Sequence, residues 1–376
     1  MLKKLFRILA CLLVSAGSLY ITACLLVPMF LGTGISEARP KEKSIDLALG
    51  DRFQMHMTNS ISNALEGVVD IKKVYWLNDH DLVAPKPNQD LYGITDDPKE
   101  IAELLQNAQG LLNGQQTVLT PQTPLAPGTQ VNYYLDETIY AATWKQAFGN
   151  CLYTFSEIKI AHPSQFRRFL AGGSYGSGIQ LTTTEMADSV NAVVASTGDF
   201  YSYRKYGIIV YDGIVKRVNA QPVDTCYIDE NADLIFSYRG ELDSMEAAQA
   251  FVDEHNIRFS VAFGPVLIDN GQKTDFPGYI LGEVYERYAR SALCQMGPLH
   301  YLLAVCTKDG SYDQHATTEE FQNVLASFGP EKAYALDGGQ SAVIAMRGKT
   351  INRVNFGYQR QLSDIIYFAT AIPEKE

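Results

Sequence analysis

From residue 131 onward, the chain is a succession of short apolar segments, each bounded by turn residues. This pattern constrains the fold more than any other feature, because apolar runs of this length between turn signals are typical of β-strands. The segments that we interpret as strands are Ile158–Ala161, Ala192–Ala195, Gly207–Tyr211, Ser260–Phe263, Tyr301–Cys306 and Ser341–Met346.

Two longer segments, Asp243–His255 and Thr317–Phe328, have helical periodicity. The first begins with Asp243 and the second with Thr317, and each is followed three residues later by a glutamate, as in a capping box. Together with the strands they predict an α+β fold, a single large domain of mixed β-sheet with packed helices.

The N-terminus predicts a membrane anchor. Three basic residues among the first seven precede an almost unbroken apolar run from 8 to about 34, long enough to span a bilayer. We interpret residues 1–36 as a single-pass anchor in the cell membrane, with the rest of the chain outside the cytoplasm. A lipoprotein-like box at residues 21–24 is the alternative, but the apolar residues that follow it favour a membrane-spanning helix.

Residues 37–130 predict a stalk and a small accessory segment of unknown role. Residues 36–50 are charged, and Pro98–Leu112 has an early proline and one apolar face, as expected for a helix. Three prolines and a glycine between residues 121 and 128 then mark a boundary. We therefore place the main domain at residues 131–376.

Charge and cysteine spacing narrow the functional classes. A formal net charge of −11 argues against a nucleic-acid partner, which would require a basic face. The histidines lack paired-ligand spacing, so we expect no cofactor, while a divalent metal stays open. Four cysteines outside the predicted anchor have no CxxC spacing and fit either disulfides or buried thiols: Cys151, Cys226, Cys294 and Cys306.

A polar turn lies between two apolar runs near the C-terminus. Asp337 ends the first run, Gly338 and Gly339 follow, and Ser341 begins the second, which predicts strand, tight turn, strand. Glycines allow the backbone to approach a ligand closely, so the turn fits either a polar site or a purely structural turn.

Residues 172–176 match G-x-S-x-G, with Ser174 at its centre. A nucleophile elbow requires a strand before it and a helix directly after it. Phe166–Leu170 is not a convincing strand and threonines follow the motif, so we predict a mobile glycine-rich loop.

Several further patches place polar groups at strand ends. Residues 195–201 put Asp199 just after an apolar strand, residues 263–271 form a strand–turn–strand pattern, and Arg290 stands at the entrance to an apolar segment. Each patch alone fits an ordinary surface end of a strand.

Taken in order, these patches resemble the phosphodiester glycosidases, a family that includes the lysosomal uncovering enzyme and many bacterial exopolysaccharide-associated proteins. The resemblance covers most of residues 131–370 and runs through residues 191–201, 207–213, 263–271, 290–293, 336–341 and 360–367. The chain departs from the family pattern in that Gln340 and Ala342 replace a third glycine and a second serine, Thr197 replaces an asparagine, and Ala289-Arg290-Ser291 replaces Pro-Arg-Thr.

The resemblance implies a hydrolase that cleaves a sugar-1-phosphodiester in envelope or exopolysaccharide glycopolymers, with a phosphorylated saccharide as its partner. Asp337 and Asp199 would supply the carboxylates that an oxocarbenium-like transition state requires, their individual roles being left open. Arg290 and Arg360 would bind the phosphate, since the guanidinium fork bonds two oxygens at once. The residues that would line the pocket are Gly198, Gly338, Gly339 and Ser341.

Three other functions stay open at this point. A glycopolymer-binding protein without turnover and a glycosyl transferase would use the same pocket. A serine esterase would use Ser174 or Ser341 and is the least supported of the three.

Overall fold

The computed structural model of the protein describes Val74, Trp76 and residues 83–373. In this part of the chain the predicted α+β class, rich in sheet and with few helices, is confirmed. The strands form three sheets, and the pairs within each sheet are antiparallel.

The largest sheet has nine strands in the order β1-β2-β3-β4-β15-β14-β16-β12-β13. These strands are β1 (Tyr92–Thr95), β2 (Val131–Leu135), β3 (Ile139–Phe148), β4 (Cys151–Ile160), β12 (Val266–Asp269), β13 (Gln272–Lys273), β14 (Arg290–Gly297), β15 (His300–Thr307) and β16 (Lys332–Leu336).

Two five-stranded sheets complete the described body. One has the order β10-β9-β11-β7-β8 and the other β18-β17-β6-β19-β5. Their strands are β5 (Phe166–Leu170), β6 (Val194–Thr197), β7 (Gly207–Tyr211), β8 (Ile214–Asn219), β9 (Thr225–Asp229), β10 (Leu234–Ser237), β11 (Ile257–Val261), β17 (Ile344–Met346), β18 (Lys349–Thr350) and β19 (Asp364–Phe368).

The α-helices of the described residues are α1 (Pro98–Asn107), α2 (Gln109–Leu112), α3 (Thr183–Ser189), α4 (Met245–Glu254) and α5 (Thr318–Ala326). The capping box predicted at Thr317 is confirmed, because its side chain accepts from the Glu320 amide at 3.1 Å. At the other predicted helix Asp243 was the wrong cap: the Ser244 hydroxyl accepts from the Ala247 amide.

The large sheet separates two apolar cores because successive side chains of a strand point to opposite faces. On β4, which is buried throughout, Ile158 belongs to the core shared with the two smaller sheets. Tyr153 and Phe155 point to the other face, where α1, α2 and α5 supply residues such as Leu104 and Phe321. The sheet is thus covered on both faces, with helices on one and sheets on the other.

Some sequence predictions were wrong in detail. Phe166–Leu170 is a strand, and the helix Thr183–Ser189 follows the glycine-rich loop after a short interval. The predicted helix over 98–112 divides at Ala108. The second run after the Asp337 turn forms a strand only from Ile344, and this strand belongs to a different sheet from β16.

The four described cysteines are buried free thiols.

No helix in the described part of the chain is both long enough and apolar enough to cross a membrane. The predicted anchor, residues 1–36, lies outside the described residues, and the predicted domain boundaries at residues 36 and 130 stay predictions. Residues 92–112, in the predicted accessory segment, contribute the edge strand β1 and the helices α1 and α2 to the body described above.

Candidate functional site

Strand pairing in the large sheet brings two predicted site residues together. In the pairing of β14 with β16, Ser291 lies opposite Leu336, so Arg290 and Asp337 occupy adjacent positions at one end of the sheet. Asp337 follows the last residue of β16, and Arg290 is the first residue of β14. The sheet itself therefore positions a cation beside a carboxylate.

The two glycines after Asp337 are required by the close passage of the chain past β14. A Cβ on Gly338 would lie 2.4 Å from the Ala289 carbonyl oxygen, which is closer than atoms can approach. Gly339 has φ = +62° and donates its amide to the same carbonyl oxygen at 2.8 Å. Glycine adopts this left-handed conformation without a steric penalty, so the pair fixes where Asp337 stands.

A cavity of about 200 Å³ opens at this point. Four of the predicted site residues line it, namely Asp337, Gly338, Arg290 and Arg360. Further polar and aromatic lining residues, which the sequence analysis did not identify, are Tyr203, Arg204, Glu283 and Tyr288. The cavity therefore combines two carboxylates with three arginines.

Asp337 is almost completely buried, at 5% exposure. Burial raises the pKa of its carboxyl from the ordinary 3.8 to about 6, and the charges of Arg204 and Arg360 oppose this increase. Among the described residues, neither Asp337 Oδ2 nor Ser341 Oγ has a hydrogen-bond partner. A buried carboxylate oxygen without a donor is costly, which is typical of a functional group rather than a structural one.

The three arginines differ in how their donors are used. Arg290 donates through Nη2 to the carbonyl oxygens of Glu283, at 2.6 Å, and Glu286, and burial lowers its pKa to about 10. Arg204 forms an ion pair with Glu283, with 3.0 Å between Nη2 and Oε1. Arg360 lines the cavity without a hydrogen bond or ion pair to any described residue, so its whole guanidinium can bind a ligand.

The second predicted carboxylate, Asp199, does not line the cavity. Its side chain is fully buried, and its Oδ1 accepts from Arg168 Nη2 at 2.7 Å, while Oδ2 accepts from the Ala262 amide at 2.6 Å. Arg168 Nη2 also bonds Asp364 Oδ2 at 3.0 Å. Burial raises the pKa of Asp199 to about 7, and Arg168 opposes this change. Asp199 thus belongs to a closed ion cluster behind the cavity.

Gly198 connects this cluster to the cavity. A Cβ at this position would lie 1.7 Å from Asp364 Oδ2, so only glycine fits. The Gly198 carbonyl oxygen accepts from the Asp337 amide at 3.2 Å. Gly198 and Asp199 therefore support Asp337 from behind, whereas Gly339 and Ser341 follow it in the turn without lining the cavity.

Gln340, which stands where the family pattern has a third glycine, tethers a neighbouring segment. Its Nε2 donates to the Tyr358 carbonyl oxygen at 3.1 Å, two residues before Arg360. Gln340 thus has a structural role, because it holds the segment that carries Arg360.

No local pattern in the sequence indicates Arg204 or Glu283 as site residues. Arg204 lies in a loop and Glu283 in the short 3-10 helix Gly282–Tyr285, and each reaches the cavity through contacts that tertiary folding alone creates. Ser174 of the glycine-rich loop is not among the cavity-lining residues. Within the described ranges, no group of three or more His, Cys, Asp or Glu side chains is arranged to hold a metal ion.

The fold and the cavity define a sheet-rich α+β protein with an arginine-lined carboxylate site. Residues 190–369 match the family of phosphodiester glycosidases, which confirms the resemblance recognised in the sequence. The match supports, at the level of the family, a hydrolase that acts on phosphodiester-linked sugars. A search of curated proteins returned no match.

Three solved structures match parts of this chain, and the first of them supports the fold. The catalytic domain of zebrafish N-acetylglucosamine-1-phosphodiester alpha-N-acetylglucosaminidase, auto-inhibited by its pro-peptide, is 15% identical with a TM-score of 0.51, covering 62% of this chain and 84% of that one. A hypothetical protein from Synechocystis is 14% identical, with a TM-score of 0.46 and 64% coverage of each chain. A putative exported protein from Burkholderia pseudomallei is 13% identical, with a TM-score of 0.41, covering 58% of this chain and 74% of that one.

Proposed function

We propose that this protein is a membrane-anchored, extracytoplasmic glycosidase that hydrolyses a sugar-1-phosphodiester bond in envelope or exopolysaccharide glycopolymers. One observation carries the proposal. Asp337, buried and with an oxygen that no described residue bonds, stands in a cavity that three arginines also line.

The arginines suit the leaving group. Hydrolysis at the anomeric carbon releases a phosphate monoester. This leaving group is stable as an anion, so its departure depends more on cations that bind its charge than on a strong general acid. The Arg360 guanidinium bonds no described residue and can bind two phosphate oxygens, and Arg290 and Arg204 add positive charge to the same cavity. Charges that the fold already holds in place stabilise developing negative charge strongly.

Asp337 suits the attack on the anomeric carbon. With a pKa of about 6 its carboxyl is mostly ionised at neutral pH. An ionised carboxylate beside the sugar either attacks the anomeric carbon or removes a proton from the attacking water, and both stabilise an oxocarbenium-like transition state. Asp199 is a positioning residue in this scheme, because its ion pair with Arg168 fixes the chain next to Gly198, whose carbonyl oxygen accepts from the Asp337 amide.

The test is hydrolysis of a panel of pyranose-1-phosphate methyl diesters by the purified full-length chain in detergent. Asp337→Asn is expected to lower kcat by roughly 10²–10⁴-fold, and Arg360→Ala to raise KM. Matched controls are Asp243→Asn and Arg353→Ala, since both residues are exposed and neither lines the cavity. Turnover that survives Asp337→Asn unchanged would refute the assignment of the reacting carboxylate.

The second candidate is a phosphosaccharide-binding protein without turnover. The position of Asp199 favours it, because one of the two carboxylates implied by the family resemblance is engaged with Arg168 rather than facing the cavity. Binding of the same diesters with no release of sugar or phosphate would support this candidate. Transfer of the sugar to an added acceptor saccharide would instead identify a transferase.

The location of the protein is part of the proposal and rests on the apolar run at residues 8–34. After lysis of cells that express the full chain, the protein should be found in the membrane fraction. In intact cells, residues after the anchor should be accessible to added protease. Recovery of the chain in the soluble cytoplasmic fraction would contradict the proposed location.

A further inference from the structure

One aromatic side chain that lines the cavity is largely exposed, and among the described residues it stacks on one other ring. Tyr203 lines the cavity, yet the residue is 69% exposed. A singly exposed tyrosine is ordinary on a protein surface, so exposure alone carries no conclusion. Tyr203 differs from an ordinary exposed tyrosine because a stacking contact and several hydrogen bonds restrain the turn that carries it.

The inner face of the Tyr203 ring is braced by Phe200. The two rings are stacked with their centroids 5.3 Å apart and their planes at 19°. Phe200 is buried and has φ = +51°, a left-handed conformation that bulky residues rarely adopt. Its carbonyl oxygen accepts from the amides of Tyr203 at 3.0 Å and Arg204 at 3.3 Å, which closes a tight turn.

The turn is also held from below by Arg217. Its Nη1 donates to the Tyr201 carbonyl oxygen at 2.7 Å, and its Nη2 donates to those of Arg204 at 3.2 Å and Tyr206 at 2.7 Å. A half-buried arginine whose three hydrogen bonds all go to carbonyl oxygens of this loop restrains the backbone of the loop. Because the backbone of the turn is held by these bonds and the ring stacks on Phe200, less conformational entropy is lost when a ligand binds to the ring.

A ring that is braced on one face and open on the other suits a ligand with a flat apolar face. A pyranose has such a face, made of its axial C–H groups, and the negatively charged face of an aromatic ring attracts these hydrogens. Small-molecule sites commonly combine such aromatic surfaces with a few polar groups that fix orientation.

We propose that Tyr203 forms a stacking subsite for the pyranose ring of the substrate, next to the carboxylate and arginines of the same cavity. This inference rests on the proposed function and adds to it the source of sugar recognition: the arginines bind the phosphate, and Tyr203 binds the ring. Removing the Tyr203 ring should therefore weaken the binding of ligands that contain a sugar and leave the binding of purely anionic ligands unchanged.

The experiment compares the full-length chain with Tyr203→Ala, Tyr203→Trp and Phe356→Ala. Phe356 is a matched control, since it is 73% exposed but does not line the cavity. With the pyranose-1-phosphate methyl diester that the protein accepts best, Tyr203→Ala should raise KM about tenfold with little change in kcat. Tyr203→Trp should restore KM, and Phe356→Ala should leave it unchanged.

Diethyl phosphate, an anion without a sugar ring, provides the second measurement. Its inhibition constant should be the same for the wild-type chain and Tyr203→Ala. An unchanged KM in Tyr203→Ala, or an equal loss of affinity for diethyl phosphate, would overturn the subsite. The thermal unfolding midpoint of each variant shows whether the loop remains folded.

Calorimetric binding of the same diester to Asp337→Asn, with and without Tyr203→Ala, separates this inference from the proposed function. If the wild-type chain binds without turnover and Tyr203→Ala weakens binding about tenfold, hydrolysis is wrong and the subsite stands. If turnover is present but binding does not depend on Tyr203, the subsite is wrong and hydrolysis stands. Neither binding nor turnover across the panel would refute both.

Discussion

Replacing Asp337 by asparagine should make the protein inactive and more stable, and the gain in stability should depend on pH. Burial raises the pKa of this carboxyl from the ordinary 3.8 to about 6. A raised pKa means that the folded protein holds the proton more tightly than the unfolded chain does. Ionisation of Asp337 at neutral pH therefore weakens the fold, and the uncharged asparagine removes that cost.

The magnitude follows from the two pKa values. Below pH 3.8 the carboxyl is protonated in both states and the cost is absent, whereas above pH 6 it is ionised in both and the cost is complete. The difference between 3.8 and about 6 corresponds to about 3 kcal/mol at pH 8, and to roughly half of that at pH 5. For a compact unit spanning residues 73–376, about 3 kcal/mol shifts the unfolding midpoint by about 5 °C.

The assay is thermal unfolding of the wild-type chain and Asp337→Asn at pH 5 and pH 8, together with kcat on a sugar-1-phosphate diester. We expect the variant to unfold at a higher temperature at pH 8, by a smaller margin at pH 5, and to lose roughly 10²–10⁴-fold in kcat. Asp243→Asn, at an exposed position, should change neither quantity. A variant that is less stable at pH 8, or whose gain does not shrink towards pH 5, would refute the reasoning from burial.

Three further predictions concern the supporting structure. Arg168→Met should lower the free energy of unfolding by about 3–5 kcal/mol in denaturant titrations, because it leaves the carboxylates of Asp199 and Asp364 buried without a cation; a loss below about 1 kcal/mol would contradict this account. Arg360→Ala should raise KM for the diester while the unfolding midpoint stays within about 1 °C, since Arg360 bonds no described residue; a large loss of stability would show that the side chain is structural. Thr317→Ala should cost about 1 kcal/mol through the lost cap of α5, and Thr317→Ser should largely restore it in the same titration.

Local signals were sufficient for much of the fold. Gly207–Tyr211 is a strand with the predicted bounds, because its apolar residues and flanking turns act within a few positions. The helix α5 begins after Thr317 as predicted, since a capping box is complete within four residues. Patterns of this kind need no knowledge of the rest of the chain.

The strand Phe166–Leu170 was not recognised because two arginines interrupt its apolar pattern. Arg168 is buried in the structure only because Asp199 and Asp364 meet it there, 31 and 196 residues away in the sequence. Without those partners a buried arginine in a strand would be very unfavourable. The signal that explains this strand is therefore not local.

The same reason separates the two predicted carboxylates. Asp199 and Asp337 each follow an apolar strand and stand beside glycine, so the sequence alone determined that both are polar strand ends near a close turn. Only tertiary structure decided that Asp199 is neutralised by Arg168, while Asp337 is left facing a cavity with Arg360. Whether a carboxylate is structural or reactive depends on which distant charges fold against it, and electrostatic partners of this kind leave no trace in the local pattern.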